Sequence, residues 1–323
     1  MLKLCRNPKE PASAFKQLFP EELIAIAEEN PNVIAFDADL ANASGLRAFA
    51  DRFPERFFEC GIQEANMVGT AAASSEAGLI PFAHTFAAFA GRKCIDQVFL
   101  AGCYAQLDLK LIGSDPGVTA ATNGGSHQAM QDMGIFMGLP NITLLEPSDG
   151  VLFRFLLRQM AQRRGVFYLR SNRKETRRLY DEASTFELGK GNVLRDGTDV
   201  TLIASGIEVY EALDAAELLQ DQGISARVVD MFCWRPIDRE LIVRCAQETG
   251  AIVTAENHAV ASGLGSAVAN VVVQEYPVPM SFIGVNERFG EVGSIAFLQK
   301  KFCMDAQSIA AQALAVINRK HRV

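Results

Sequence analysis

Four short stretches of this chain carry residue types that can move protons, pack on rings or contact a ligand's charge. "GIQEANM" places Glu64 where the strand-like run Arg56–Cys60 stops at Gly61 and an almost wholly small and apolar helix begins. An acid in a first helical turn complements free N–H groups and the macrodipole, so its position alone needs no chemistry. "FDADLANASG" leaves Asp37 and Asp39 at the end of a strand, where a turn and helix cap explain them equally well. "HTFAAF" supplies His84, Phe86 and Phe89; the two phenylalanines, three apart on one helical face, fit core packing. "TNGGSHQAMQDMG" delivers His127 at the start of a helix, behind a Gly-Gly pair that lets backbone approach another group closely. Carboxylates and imidazoles at such places are general acid–base candidates.

The elements that position these residues follow a β–α rhythm. Strands are expected over 32–40, 79–85, 107–114, 141–149 and 165–172, with a long helix after the second and a capped amphipathic helix over 148–163. A polar, charged interval around 175–190 precedes a second cycle, with strands over 199–206, 225–231, 250–257 and 280–286. Its first helix is stopped by Gly223. Repeated alternation of this kind means parallel sheets covered on both faces. The reading is two doubly wound α/β domains, 1–182 and 183–323, whose ligands bind beyond the carboxyl ends of the strands. "ASGLGSAVANVV" has a G-x-G at a helix start, and tight helix packing accounts for it better than a dinucleotide.

Bulk properties narrow the class. The 323 residues are 49% hydrophobic and 21% charged, enough to bury sizeable cores. A net charge of −7 argues against a nucleic-acid surface. Seven cysteines with no C-x-x-C pair read as reduced, mostly buried thiols, not a disulfide framework or zinc site. The N-terminal stretch has no long apolar segment resembling a signal peptide, and no run reaches the roughly 18–20 apolar residues that span a bilayer. A cytoplasmic location is expected.

In order, "ADL", "GIQEANM", "TF-x-x-F", "GGSHQ" and "PSD", with "ENH", "GLGSAVAN" and "FGEVG" downstream, resemble the C-terminal half of transketolases. The similarity runs from about residue 14 to the end and implies a pyrimidine-binding domain followed by a C-terminal α/β domain. By this resemblance Glu64 meets N1′ of the aminopyrimidine of thiamine diphosphate and controls its tautomer, a task suited to a desolvated carboxylate. Phe86 and Phe89 match aromatics that pack on the pyrimidine, where offset stacking is favourable. Asp39 and Leu40 match the segment lining the thiazolium side. His127 matches a histidine near the reacting carbonyl and hydroxyls, able to donate a hydrogen bond or relay a proton.

The departures from the family pattern are equally informative. The diphosphate and metal motif, G-D-G followed by Asn-Asn, is missing, so the resemblance implies a partner chain that supplies it. That partner would hold Mg²⁺ or Ca²⁺, and no metal ligands are assigned to this chain. An α2β2 assembly with a β–β dimer core is expected. Where full-length transketolases read the sugar with a histidine in "ATHDS" and an aspartate in "EDGPTHQ", this chain has "IGSDP" and "TNGGSHQ". Ser114 thus stands near the missing histidine, and Asn123 replaces the aspartate. Arg173 corresponds to an arginine that grips a sugar phosphate, and Lys16 stands nearest a second. The implied activity is transfer of a two-carbon ketol unit from a ketose, phosphorylated by this reading, to an aldose. The competing reading is the β subunit of a 2-oxo acid dehydrogenase or a relative of deoxyxylulose-phosphate synthase, which share the glutamate but decarboxylate a 2-oxo acid.

Overall fold

The computed structural model describes residues 2–174 and 176–320. A short strand β1 (Pro11–Ala12) and helix α1 (Phe15–Glu29) lead into β2 (Val33–Asp37), α2 (Ala41–Ser44), α3 (Arg47–Arg52) and β3 (Phe57–Glu59). The first series continues through α4 (Glu64–Ser74), β4 (Ile80–Phe86), α5 (Ala87–Gln97), β5 (Leu109–Ser114), α6 (Asp132–Met137), β6 (Ile142–Leu145), α7 (Gly150–Gln162) and β7 (Val166–Ser171). Then β8 (Thr176–Arg177) pairs antiparallel with β1, fastening the N-terminal segment. The second series is β9 (Asn192–Arg195), β10 (Val200–Ala204), α8 (Glu208–Gln220), β11 (Ala226–Asp230), β12 (Cys233–Arg235), α9 (Arg239–Thr249), β13 (Ile252–Ala259), α10 (Leu264–Glu275), β14 (Met280–Val285), α11 (Ile295–Lys301) and α12 (Ala306–Lys320).

The larger sheet has the order β12-β6-β7-β5-β4-β2-β3 and the smaller one β14-β13-β10-β11-β9. Both are parallel except at one edge, where β12 and β9 run antiparallel to their neighbours. Alternate residues of β2 explain the double cover: Val33 and Ala35 join one hydrophobic cluster, Ile34 and Phe36 the other. Each cluster runs through both sheets, so the α/β units share their packing. A strand exchange ties them further, because β12, from the second half, completes the first sheet against β6.

Several sequence expectations shift in detail. Strand β12 was hidden in "MFCWRP", too short and too uniformly apolar to show a period of two. The long helix expected after the second strand is interrupted: α5 ends at Gln97 and a wider π-type turn covers Val98–Tyr104. Phe86 is the last residue of β4, with extended backbone, so it does not share a helical face with Phe89. His127 does not begin a helix either. Gly124 adopts φ +77°, the His127 N–H closes a turn onto the Gly124 carbonyl, and the next helix waits until Asp132. Asp149 caps α7 by accepting from the Leu152 N–H, in line with the capped helix expected over 148–163.

Candidate active site at the carboxyl edge of the first sheet

The parallel strands β2, β4, β5 and β7 present their carboxyl ends together. Glu64 is the first residue of α4 and only 4% exposed, although Gln63 before it provides no side-chain cap. Burial follows from the rest of α4, whose Met67, Val68 and Ala71 pack into the core on that face. Its carboxylate accepts from the Lys93 ammonium at 2.6 Å, and Lys93 lies 4.1 Å over the Phe89 ring. Lys93 was missed in the sequence. It sits four residues after Phe89 on α5, the spacing that puts two side chains on one helical face.

Phe86, Phe89 and His127 come together. The phenylalanine centroids are 6.0 Å apart, and the His127 ring lies 5.8 Å from Phe86 and 5.2 Å from Phe89, edge-on to both. Three rings therefore gather next to the Glu64–Lys93 pair, a lining suited to a flat heteroaromatic ring. The glycine-rich loop that brings His127 there is held by Arg92, which donates to the Ser126 carbonyl, and by Gln128, which donates to the Glu291 carbonyl. Asn123 lies exposed at the start of this loop.

Arg173 is not free. Its guanidinium donates to Asp115 Oδ2, its backbone N–H donates to Asp115 Oδ1 at 3.0 Å, and its charge crosses the Phe86 ring at 4.9 Å. Asp115 is buried and left-handed at φ +53°, and sequence reasoning passed over it although it follows Ser114 directly. The expected phosphate grip thus faces a carboxylate of this chain's own. Lys16 is exposed at the start of α1 beside Arg173. Asp39, also left-handed at φ +61°, is exposed and donates its N–H to Glu59. The buried acid of that turn is Asp37, which receives the Leu40 N–H. Left-handed non-glycine residues at Asp39, Asp115 and Ala121 cluster at this edge, as backbone strain does at ligand sites.

The second sheet has a comparable edge that is closed. Glu256 on β13 accepts from the Leu264 and Gly265 N–H groups at the start of α10. A side chain at Gly263 would collide with the Glu256 carboxylate, so the G-x-G there serves this close approach. Burial pushes the Glu256 carboxyl up to about 7, against the pull of those two N–H groups. The neighbouring His258 is pushed down to about 4, first by burial and then by Arg170.

The residues at the first edge fit the pyrimidine end of thiamine diphosphate. A buried carboxylate acceptor stands beside three gathered rings, which matches a ring that stacks and exchanges a proton at its edge. No counterpart of the diphosphate motif exists in the sequence.

Comparison with known proteins supports the same placement. Family models described as "Transketolase, pyrimidine binding domain" and "Transketolase, C-terminal domain" match residues 12–178 and 189–309. A 6-deoxy-6-sulfo-D-fructose transketolase subunit of Clostridium sp. (strain MSTE9) is 42% identical over 306 residues, covering 95% of each chain. An apulose-4-phosphate transketolase subunit of Phocaeicola vulgatus is 31% identical over 307 residues, 95% of this chain and 98% of that one. A solved structure described as a split gene transketolase, inactive β4 tetramer, superposes with a TM-score of 0.87 at 40% identity, covering 95% and 99% of the two chains. The chain belongs to the transketolase family and carries its pyrimidine-binding and C-terminal domains.

Proposed function

We propose that this chain is the pyrimidine-side subunit of a split transketolase that moves a two-carbon ketol unit from a ketose to an aldose. The observation that carries the reading is the buried Glu64 carboxylate beside Phe86, Phe89 and His127. The missing G-D-G motif supports a partner that resembles the N-terminal half of transketolases and holds the diphosphate with Mg²⁺ or Ca²⁺. That two similar proteins are described as transketolase subunits, and a β4 tetramer as inactive, supports the same division of labour. We read the assembly as α2β2 around a β–β core. The domains divide as 1–182 and 183–323, with β12 reaching back into the first sheet. Seven free thiols support a reducing, cytoplasmic setting, and no described helix is long and apolar enough to cross a membrane.

Thiamine diphosphate, when bound, supplies the carbon acid and electron sink that ketol transfer requires. Glu64 would hold the proton exchanged at the pyrimidine N1′, from a buried position at the start of its helix. Phe86 and Phe89 bind the ring face and exclude water. His127 is within reach of the same ring pocket and relays protons to and from the sugar's reacting oxygens. Asp39 and Leu40 form the turn that lines the thiazolium side, and Ser114 and Asn123 contact sugar hydroxyls. Arg173 contacts a sugar phosphate only if Asp115 releases it. The test is an assay of the chain mixed with its N-terminal-half partner. Transfer from a ketose to an aldose supports the reading, whereas CO₂ release from pyruvate with no transfer overturns it in favour of a 2-oxo acid enzyme.

A further inference from the structure

Across β2, β4 and β5 runs a hydrogen-bonded chain of three side chains from three adjacent strands. Asp37 ends β2, His84 lies on β4 directly across from it, and Ser114 ends β5. His84 Nδ1 is 2.8 Å from Asp37 Oδ2 and its Nε2 is 3.0 Å from Ser114 Oγ. All three are buried, at 0%, 1% and 3% exposure. Phe19 of α1 covers the His84 ring at 6.0 Å, which keeps bulk water from it. Ser114 is in register with Phe86 and with Ser171, so its hydroxyl stands level with the ring pocket. It borders a cavity of about 10 Å³ between α1 and the sheet, also lined by Lys16, Ser44 and Arg173. That is room for about one oxygen-sized group.

Hydrogen-bond capacity sets the direction of this chain. An ionised carboxylate only accepts, and Asp37 already takes the Leu40 N–H and the Ser44 hydroxyl. His84 must then carry a proton on Nδ1, and in the Nδ1–H tautomer Nε2 is left as an acceptor. In that tautomer the Ser114 hydroxyl donates to Nε2, and only its lone pairs remain to face the cavity. We propose that Asp37, His84 and Ser114 form a specificity relay that fixes the Ser114 oxygen as an acceptor for a hydroxyl of the sugar substrate. Such an oxygen favours an O–H and repels a phosphate or carboxylate oxygen, which has no proton to give. Asp115 reinforces that preference by neutralising Arg173 at the same edge. His84 is the positioning residue and Ser114 the reader; charged groups facing them are Asp37 from β2, Lys16 from α1, and Asp115 and Arg173 from the loops after β5 and β7. The inference rests on the transketolase reading of the site.

The experiment has two arms. In the first, the isolated chain is labelled with ¹⁵N-histidine, and His84 is assigned by comparison with His84→Gln. The relay requires a neutral ring protonated on Nδ1 at neutral pH; an Nε2–H tautomer or an imidazolium would overturn it. In the second, the complex with the N-terminal-half partner is assayed on ketose donors that each lack one hydroxyl. Wild-type kcat/KM should fall about 3- to 10-fold for one particular deoxy donor, the range a neutral hydrogen bond commands. Ser114→Ala should erase that single penalty and leave the others, and Ser114→Thr should restore it. Penalties identical in Ser114→Ala and wild type across the donors would overturn the relay while ketol transfer itself stood. Absence of transfer by the wild-type complex would instead strike the transketolase reading, and the tautomer would still decide the relay's direction.

Discussion

Glu64 and Glu256 are buried carboxylates toward the carboxyl edges of the two sheets, Glu64 as the first residue of a helix and Glu256 on a strand facing the start of one, yet they do opposite things. Glu256 spends its oxygens on the chain's own N–H groups at Leu264 and Gly265. The polar partner of Glu64 is instead Lys93, a side chain 42% exposed and able to swing away. The first arrangement welds α10 onto β13. The second leaves a buried acceptor whose present neighbour can be exchanged for a ligand. The same α/β layering thus yields structure at one edge and a candidate site at the other, according to whether the carboxylate is satisfied by fixed backbone.

Replacing each member of this contrast tests it. The largest effect is expected for Glu64→Gln in the complex with the N-terminal half. Ketol transfer should fall by about 10²–10⁴, the usual size of a lost acid–base contribution, while circular dichroism and assembly stay as in the wild type. Transfer within a few-fold of wild type would reduce Glu64 to a helix-terminus charge. For Glu256→Ala the effect should move from rate to stability. Two buried N–H groups lose their acceptor, and denaturant unfolding should show a loss of about 2–4 kcal/mol.

A subtler contrast concerns pH. The folded-state pKa of Glu256, about 7, lies above the ordinary carboxylate value. Between the two values the folded chain binds more protons than the unfolded one, so this group's contribution is present below about pH 4.5 and is lost as pH rises through 7. His258, lowered to about 4, acts in the other direction, with its contribution present above about 6.5 and lost toward 4. Glu256→Gln removes only the first, so unfolding midpoints measured from pH 4.5 to 7.5 should decline less in the variant than in the wild type. The smallest effect is expected for Lys93→Met. The ammonium is 42% exposed, yet its removal leaves the buried Glu64 carboxylate unpaired, so denaturant unfolding should show a loss of about 1–2 kcal/mol, below that of Glu256→Ala.

The β–α rhythm was legible because buried parallel strands are continuous apolar runs between helices with their own period. Thus Val200–Ala204 and Ala226–Asp230 lie within the expected stretches. Strand β12 was not legible, since a three-residue antiparallel edge carries no period and its partner, β6, lies about ninety residues earlier. Glu64, Phe86, Phe89 and His127 could be picked from motif and resemblance, and the structure brings the three rings together. Their neighbours could not. Lys93 and Asp115 take part through pairings with Glu64 and Arg173, 29 and 58 residues away, which only the folded chain displays. His84 was visible as a residue, but its place between Asp37 and Ser114 depends on strand register.

In the proposed assembly this chain holds one end of a shared cofactor site. Calorimetric titration of thiamine diphosphate with Mg²⁺ tests it most directly, first into the chain alone and then into the chain mixed with a partner carrying the G-D-G and Asn-Asn motif. No measurable heat of binding is expected in the first titration, and saturable, Mg²⁺-dependent binding in the second. Tight, Mg²⁺-dependent binding to the isolated chain would contradict it.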